Sequence, residues 1–265
     1  MNKKALYAVL LAILLPLVSY FIVKNKSEHA IIMPRHYFPD TVLTVTKKGK
    51  HVTDTVWHQV ADFKLTNQEN KPVSWDSLKG KIVIADFFFT RCPTICPTLT
   101  LNMKRLAENI KSGKGAGDTT HKQVHFLSFS IDPDRDSVPQ LKKWADRFQV
   151  NPEQWWLLTG NKKMIYDLII HEMKIPVDDG MGVDTNFMHT DHFVLIDSTR
   201  HVRGFYHGLD PASLAALSED MMLLTLEKDP KEKSFFAGKL QLIAVVFLLT
   251  ILGVGFLFYF LRKKS

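Results

Sequence analysis

The chain has 265 residues, 46% apolar and 23% charged, with a formal net charge of +7 and a pI near 9.2. That length is enough for one or two domains with a sizeable core, and the average composition is that of a globular protein. The positive balance is not a nucleic-acid footprint, because no basic stripe interleaved with aromatics occurs. The average hides an apolar segment at each end.

The first of these is Ala5–Val23, uncharged and mostly apolar between lysines. A helix of about 20 apolar residues spans the hydrocarbon core. A cleaved signal peptide has a shorter apolar run and a small-x-small site after it. Here the run ends in Phe21, Ile22, Val23 and Lys24, so it reads as an uncleaved transmembrane anchor, 5–23, with Pro16 as a tolerated kink.

Residues 24–58 read as a linker and then a β-hairpin, "TVLTVTKKGKHVTDTV", in which β-branched alternation flanks a turn. The main domain is expected over 59–228. Within it "KIVIADFFFT" (81–90) is a nearly continuous apolar run, as in a strand buried on both faces. A helix is expected over 97–113, where Leu99, Met103, Leu106 and Ile110 recur at helical spacing between Pro97 and Gly113. The "GKGAGD" that follows (113–118) comes after a helix and lacks a Gly-Lys-Ser/Thr ending, so it is a loop and not a phosphate cradle. A strand (124–131), a helix (138–149), a strand (154–159) and a helix (162–173) follow. Strands 191–197 and 201–207 pair as a hairpin, and 210–228 is a helix. Strands alternating with helices predict an α/β domain around a central sheet.

A linker, 229–241, leads to the second apolar run. Leu242–Leu261 carries no charge and is followed by Arg262, Lys263 and Lys264. It reads as a second transmembrane helix. Basic residues flank both runs on their terminal sides, so both termini are expected in the cytoplasm. The domain between them then lies on the outer, periplasmic or extracytoplasmic face of the cytoplasmic membrane.

The two cysteines, Cys92 and Cys96, stand four apart in "DFFFTRCPTICPTLT", each followed by proline. A residue before proline is pushed from the α region. Both thiols are therefore expected in extended or turn-like backbone, leading into a helix that Pro97 opens. A helix N-terminus lowers thiol pKa values. A disulfide here would close too short a loop to restrain much chain. Against that structural disulfide and against inert buried thiols, a redox dithiol or a soft-metal site is the favoured reading. Thiolates select Cu(I), and also zinc, but tetrahedral zinc wants four ligands. A histidine is the natural third ligand for copper, and spacing alone does not choose among eleven.

"FFFTRCPTICPTL" resembles the metal-binding motif of the Sco/SenC family, membrane-anchored thioredoxin-like proteins that serve copper assembly of cytochrome c oxidase. "SFSIDPDRDSVPQLKKWA" (128–145), "WWLLTG" (155–160) and "MHTDHFVLID" (188–197) resemble three further blocks of that family, in order. The resemblance implies a thioredoxin-like central sheet flanked by helices, and a copper ion held by Cys92, Cys96 and His189. His189 is chosen because Thr190 follows it and a late strand comes next; His192 does not fit. Met188 reads as packing, and His121, His125, His171 and His207 as surface or core histidines. Many family members carry an acid two residues after the first cysteine, where this chain has Thr94. The C-terminal span is also outside the family pattern.

Asp86, six residues before Cys92 in an apolar strand, resembles the buried aspartate of thioredoxins and is a candidate proton acceptor. A bond from sheet-rim backbone is the alternative. "DPDRD" (132–136) reads mainly as a turn in contact with the site. The functional expectation is a copper chaperone for the copper-binding subunit of cytochrome c oxidase. It would be supplied by an upstream copper donor or thiol reductant. The alternative is a thiol–disulfide oxidoreductase acting on the cysteines of a copper-site apoprotein. The longer cysteine spacing, and the absence of a proline at His189-Thr190, favour metal binding. A peroxiredoxin-type peroxidase lacks its full pattern here.

Overall fold

The computed structural model describes residues 33–47, 50–111, 120–175 and 190–227, together with Leu14 and Val18. Apart from those two residues, both apolar runs, 5–23 and 242–261, lie outside the described residues. So do the linker 229–241, the loop 113–118 and His189. Among the described residues no helix is long and apolar enough to cross a membrane.

The expected hairpin is present as β1 (Pro39–Lys47) and β2 (Lys50–Trp57), an antiparallel pair forming its own two-stranded sheet. Val42, Leu43 and Val56 are exposed on it. Its base is tied to the domain by main-chain bonds, Tyr37 N–H to Val202 O (3.1 Å) and Val60 N–H to Arg200 O (2.9 Å).

The central sheet has seven strands. These are β3 (Leu65–Asn67), β4 (Pro72–Val73), β5 (Ile82–Phe88), β6 (Val124–Ser130), β7 (Trp155–Thr159), β8 (His192–Ile196) and β9 (Val202–His207), in the order β4-β3-β7-β6-β5-β8-β9. β5, β6 and β7 are parallel, whereas β8 and β9 are antiparallel to their neighbours. Every residue of β5 and β6 is buried, which explains their largely apolar runs, with Asp86, His125, Ser128 and Ser130 as the buried polar exceptions. The helices are α1 (Cys96–Lys111), the short α2 (Thr120–Gln123), α3 (Val138–Phe148), α4 (Lys162–Asp167) and α5 (Pro211–Leu226).

Sequence and structure agree where apolar spacing is regular. In α3, Leu141, Trp144, Ala145 and Phe148 form the buried stripe, and Gln149 caps the helix in left-handed backbone (φ 56°). α4 begins at Asn161, whose side chain accepts from the Met164 N–H at 3.0 Å. The single helix expected over 162–173 is corrected: after Asp167 the chain continues as a π-helical turn, Leu168–Glu172, closed by Met173 N–H on Leu168 O at 2.8 Å. Glu172 accepts from the Ala61 N–H (2.9 Å) and meets His58 Nε2 (3.2 Å), contacts with distant chain that periodicity does not encode.

Candidate metal and dithiol site

The parallel strands β5 and β6 both end at one edge of the sheet, and α1 starts there. β8 runs antiparallel to β5, with Ala85 opposite Val194, so its first residue lies at the same edge. Chain order thus brings the cysteine loop, the loop after β6 and the entry to β8 together. His189 precedes that entry by three residues, and lies outside the described residues.

Cys92 and Cys96 are free thiols, 5% and 2% exposed. One expectation is corrected here. Cys96 is the first residue of the helix and not an extended residue before it, and Ile95 O already accepts from the Leu99 N–H (2.9 Å). Pro97 is tolerated because N–H groups of the first turn have no helical partner to lose. The Cys96 N–H instead points at Cys92 Sγ, 3.5 Å away, and the Thr94 hydroxyl is 3.8 Å from the same sulfur.

The two thiols are unequal. Burial pushes the Cys92 thiol up, but hydrogen bonds from the Cys96 thiol and from the Cys96 and Thr94 N–H groups outweigh it and hold it below its ordinary value. Cys96 goes well above, through burial first, then its bond to Cys92 and the charges of Cys92 and Asp86. Cys92 is therefore the more readily ionised thiol of the pair and Cys96 the less. Behind it, the Thr100 hydroxyl donates to Cys96 O (2.8 Å) and accepts from Trp144 Nε1 (3.2 Å), locking the first turn of α1 onto α3.

Asp86 is 1% exposed, and its Oδ1 has no hydrogen-bond partner. Burial raises its pKa to about 7, opposed in part by a bond from Ser128, its cross-strand partner. A bond from its own backbone N–H also opposes that rise, so the backbone-bonded alternative stays open for this buried residue. Its charge is one of the influences that raise the Cys96 thiol.

The 132–136 loop has a larger role than a turn. Asp136 is fully buried and accepts from the Thr90 N–H (3.1 Å), the Thr90 hydroxyl (2.5 Å) and the Ser130 hydroxyl (2.6 Å). One carboxylate thus fixes the residue two before Cys92 to the end of β6. Arg91, Arg135, Lys143 and Arg147 line an open basic cleft against Trp144 beside this loop. Among the remaining histidines, His125 is a core residue under Trp156, with burial lowering its pKa to about 3. His171 is exposed. His207 is not isolated: it meets Asp191 and His192, which the sequence reading missed because the three join only through hairpin register.

The SCO1/SenC family model matches residues 53–222. The SCO1 protein homolog of Bacillus subtilis is 33% identical over 163 residues, covering 61% of this chain and 80% of that protein. BsSco is described as a member of the Sco family of cytochrome c oxidase assembly proteins with a disulfide switch. It is 31% identical with a TM-score of 0.54, over 64% of this chain and 95% of that one. ScoI of Bradyrhizobium japonicum, solved with copper bound, is 26% identical with a TM-score of 0.47, over 61% and 98%. The matched segment holds both cysteines, Asp86 and the whole central sheet, and the chain belongs to the SCO1/SenC family.

Proposed function

We propose that the chain is a membrane-anchored copper chaperone that binds copper through Cys92, Cys96 and His189 and delivers it to the copper-binding subunit of cytochrome c oxidase during assembly. The observation that carries this reading is the unequal pair of free thiols at the start of α1, one sulfur facing a helix N–H. Two soft donors in a closed, largely apolar setting suit Cu(I) and fall short of a tetrahedral zinc set. Family membership supports the same cargo, and BsSco's description supports the same recipient. The apolar runs 5–23 and 242–261 would hold the domain against the outer face of the cytoplasmic membrane.

The chemistry required of the residues follows from their environments. Cys92, the more readily ionised of the two thiols, is the one that first meets the ion. Cys96 must lose its proton to become the second donor, and Asp86 is the buried base beside it. Release reverses these steps when a recipient with more donors competes.

A second reading, thiol–disulfide exchange on a copper-site apoprotein, draws on the low Cys92 thiol and the Asp86 carboxyl near neutrality. Anaerobic Cu(I) titration of the reduced full chain, with metal analysis and thiol counting, separates the two. One copper per chain with both thiols protected supports the chaperone. Absence of copper binding with a rapidly cycling Cys92–Cys96 disulfide supports the oxidoreductase.

A further inference from the structure

Asp191, His192 and His207 meet at the open end of the β8–β9 hairpin. His192 and His207 are cross-strand partners, with ring centroids 4.3 Å apart. The Asp191 carboxylate lies between them, Oδ1 3.1 Å from His192 Nδ1 and Oδ2 3.4 Å from His207 Nδ1. One donor atom from each residue falls within 4.8 Å of the other two. Among the described residues no lysine or arginine pairs with Asp191, so its charge is met only by imidazoles.

A second trio, His36, Asp197 and His201, has the same composition. Its chemistry is already closed. Asp197 accepts from Arg203 Nη1 (2.9 Å) and from the Thr199 hydroxyl (2.7 Å) and N–H (2.9 Å). A guanidinium already pairs with this carboxylate. The two trios thus provide a built-in contrast: one carboxylate with a fixed positive partner and one without.

We propose that Asp191, His192 and His207 form a second metal site, one for a divalent ion of imidazole and carboxylate preference, with Cu(II) the strongest binder. Two imidazoles and a carboxylate suit copper, zinc and nickel, and the order of divalent affinities peaks at Cu(II). This donor set is harder than the dithiol and does not share a ligand with it. Its place is fixed relative to that pair. Gly208 N–H donates to Asp191 O (2.7 Å), and Asn102 Nδ2 donates to Gly208 O (2.8 Å), so the trio is bound to the helix that Cys96 opens. His207 is largely exposed, which gives an ion access from solvent.

The test is Cu(II) titration of the full chain in detergent against a competing chelator, read by metal stoichiometry and electron paramagnetic resonance. Cys92→Ser/Cys96→Ser removes the thiolate donors. If that variant does not fold, the native chain oxidised to the Cys92–Cys96 disulfide serves in its place. The expected result is one Cu(II) per chain with nitrogen hyperfine coupling from imidazole. His207→Gln and Asp191→Asn should each weaken it at least about tenfold, since even residues behind metal ligands cost that much. His201→Gln should leave it unchanged. Absence of stoichiometric Cu(II), indifference to His207→Gln and Asp191→Asn, or loss on His201→Gln or His189→Ala would overturn the assignment. None of these outcomes depends on Cu(I) binding by the reduced dithiol.

Discussion

At the scale of single residues, the proposed chemistry rests on three buried groups shifted from their ordinary pKa, Cys92, Cys96 and Asp86. Cys96 stays protonated at neutral pH, so Cu(I) must displace at least one proton. Affinity should therefore rise at least about tenfold per pH unit between pH 6 and 8. Competition titration at fixed ionic strength measures this, and a pH-independent affinity would argue against Cys96 as a ligand. Asp86 has a folded pKa of about 7 against an ordinary aspartate value of about 3.9, so the folded state holds a proton that the unfolded state gives up. Stability from this group is complete below about pH 4 and is lost as pH rises through 7. The upper bound is about 4 kcal/mol. Asp86→Asn should flatten that decline in urea melts taken from pH 4.5 to 8. It should also slow reduction of the Cys92–Cys96 disulfide by a small thiol while leaving Cu(I) affinity nearly unchanged. Unaltered exchange would leave Asp86 a structural residue and weaken the oxidoreductase reading. Asp136→Ala strands the Thr90 N–H and the Ser130 hydroxyl, and should cost about 2 kcal/mol in the same melts.

At the scale of elements, the site depends on where α1 and the β8–β9 hairpin meet. Gly208 is the contact point. A Cβ there would come within 2.6 Å of Leu99 Cδ2, 2.8 Å of Asp191 O and 2.9 Å of Phe193 Cε1. The backbone oxygen cannot move aside cheaply, so Gly208→Ala should destabilise by about 1–3 kcal/mol in chemical denaturation. A neutral result would mean that the hairpin rides freely on α1. The same elements show what was legible in advance. α1 and α3 could be read because their apolar residues keep helical spacing, and β5 and β6 because they are largely apolar runs buried along their whole length. β3 and β4, of three and two residues, are too short to carry a period, and rest on Asn67 Oδ1 accepting from Glu69 and Lys71. α2 is equally short. The two cysteines and Asp86 were visible as local sequence. Asp136 as the clamp on Thr90, and Asp191 with His192 and His207, were not, because their partners lie across strands or loops.

At the scale of the whole molecule, the proposed function would have the apolar ends place the folded domain at the membrane. If both runs span, protease added from the outer side of the cytoplasmic membrane should digest the 24–241 region and leave tags at both termini intact. A C-terminal tag cut from that side would refute the two-span arrangement. Copper K-edge X-ray absorption on the Cu(I)-loaded full chain tests the proposed ligand set. The account predicts two sulfur scatterers and one imidazole nitrogen, with the nitrogen lost in His189→Ala and retained in His192→Ala. A spectrum with no imidazole, or one whose imidazole survives His189→Ala and vanishes in His192→Ala, would contradict it.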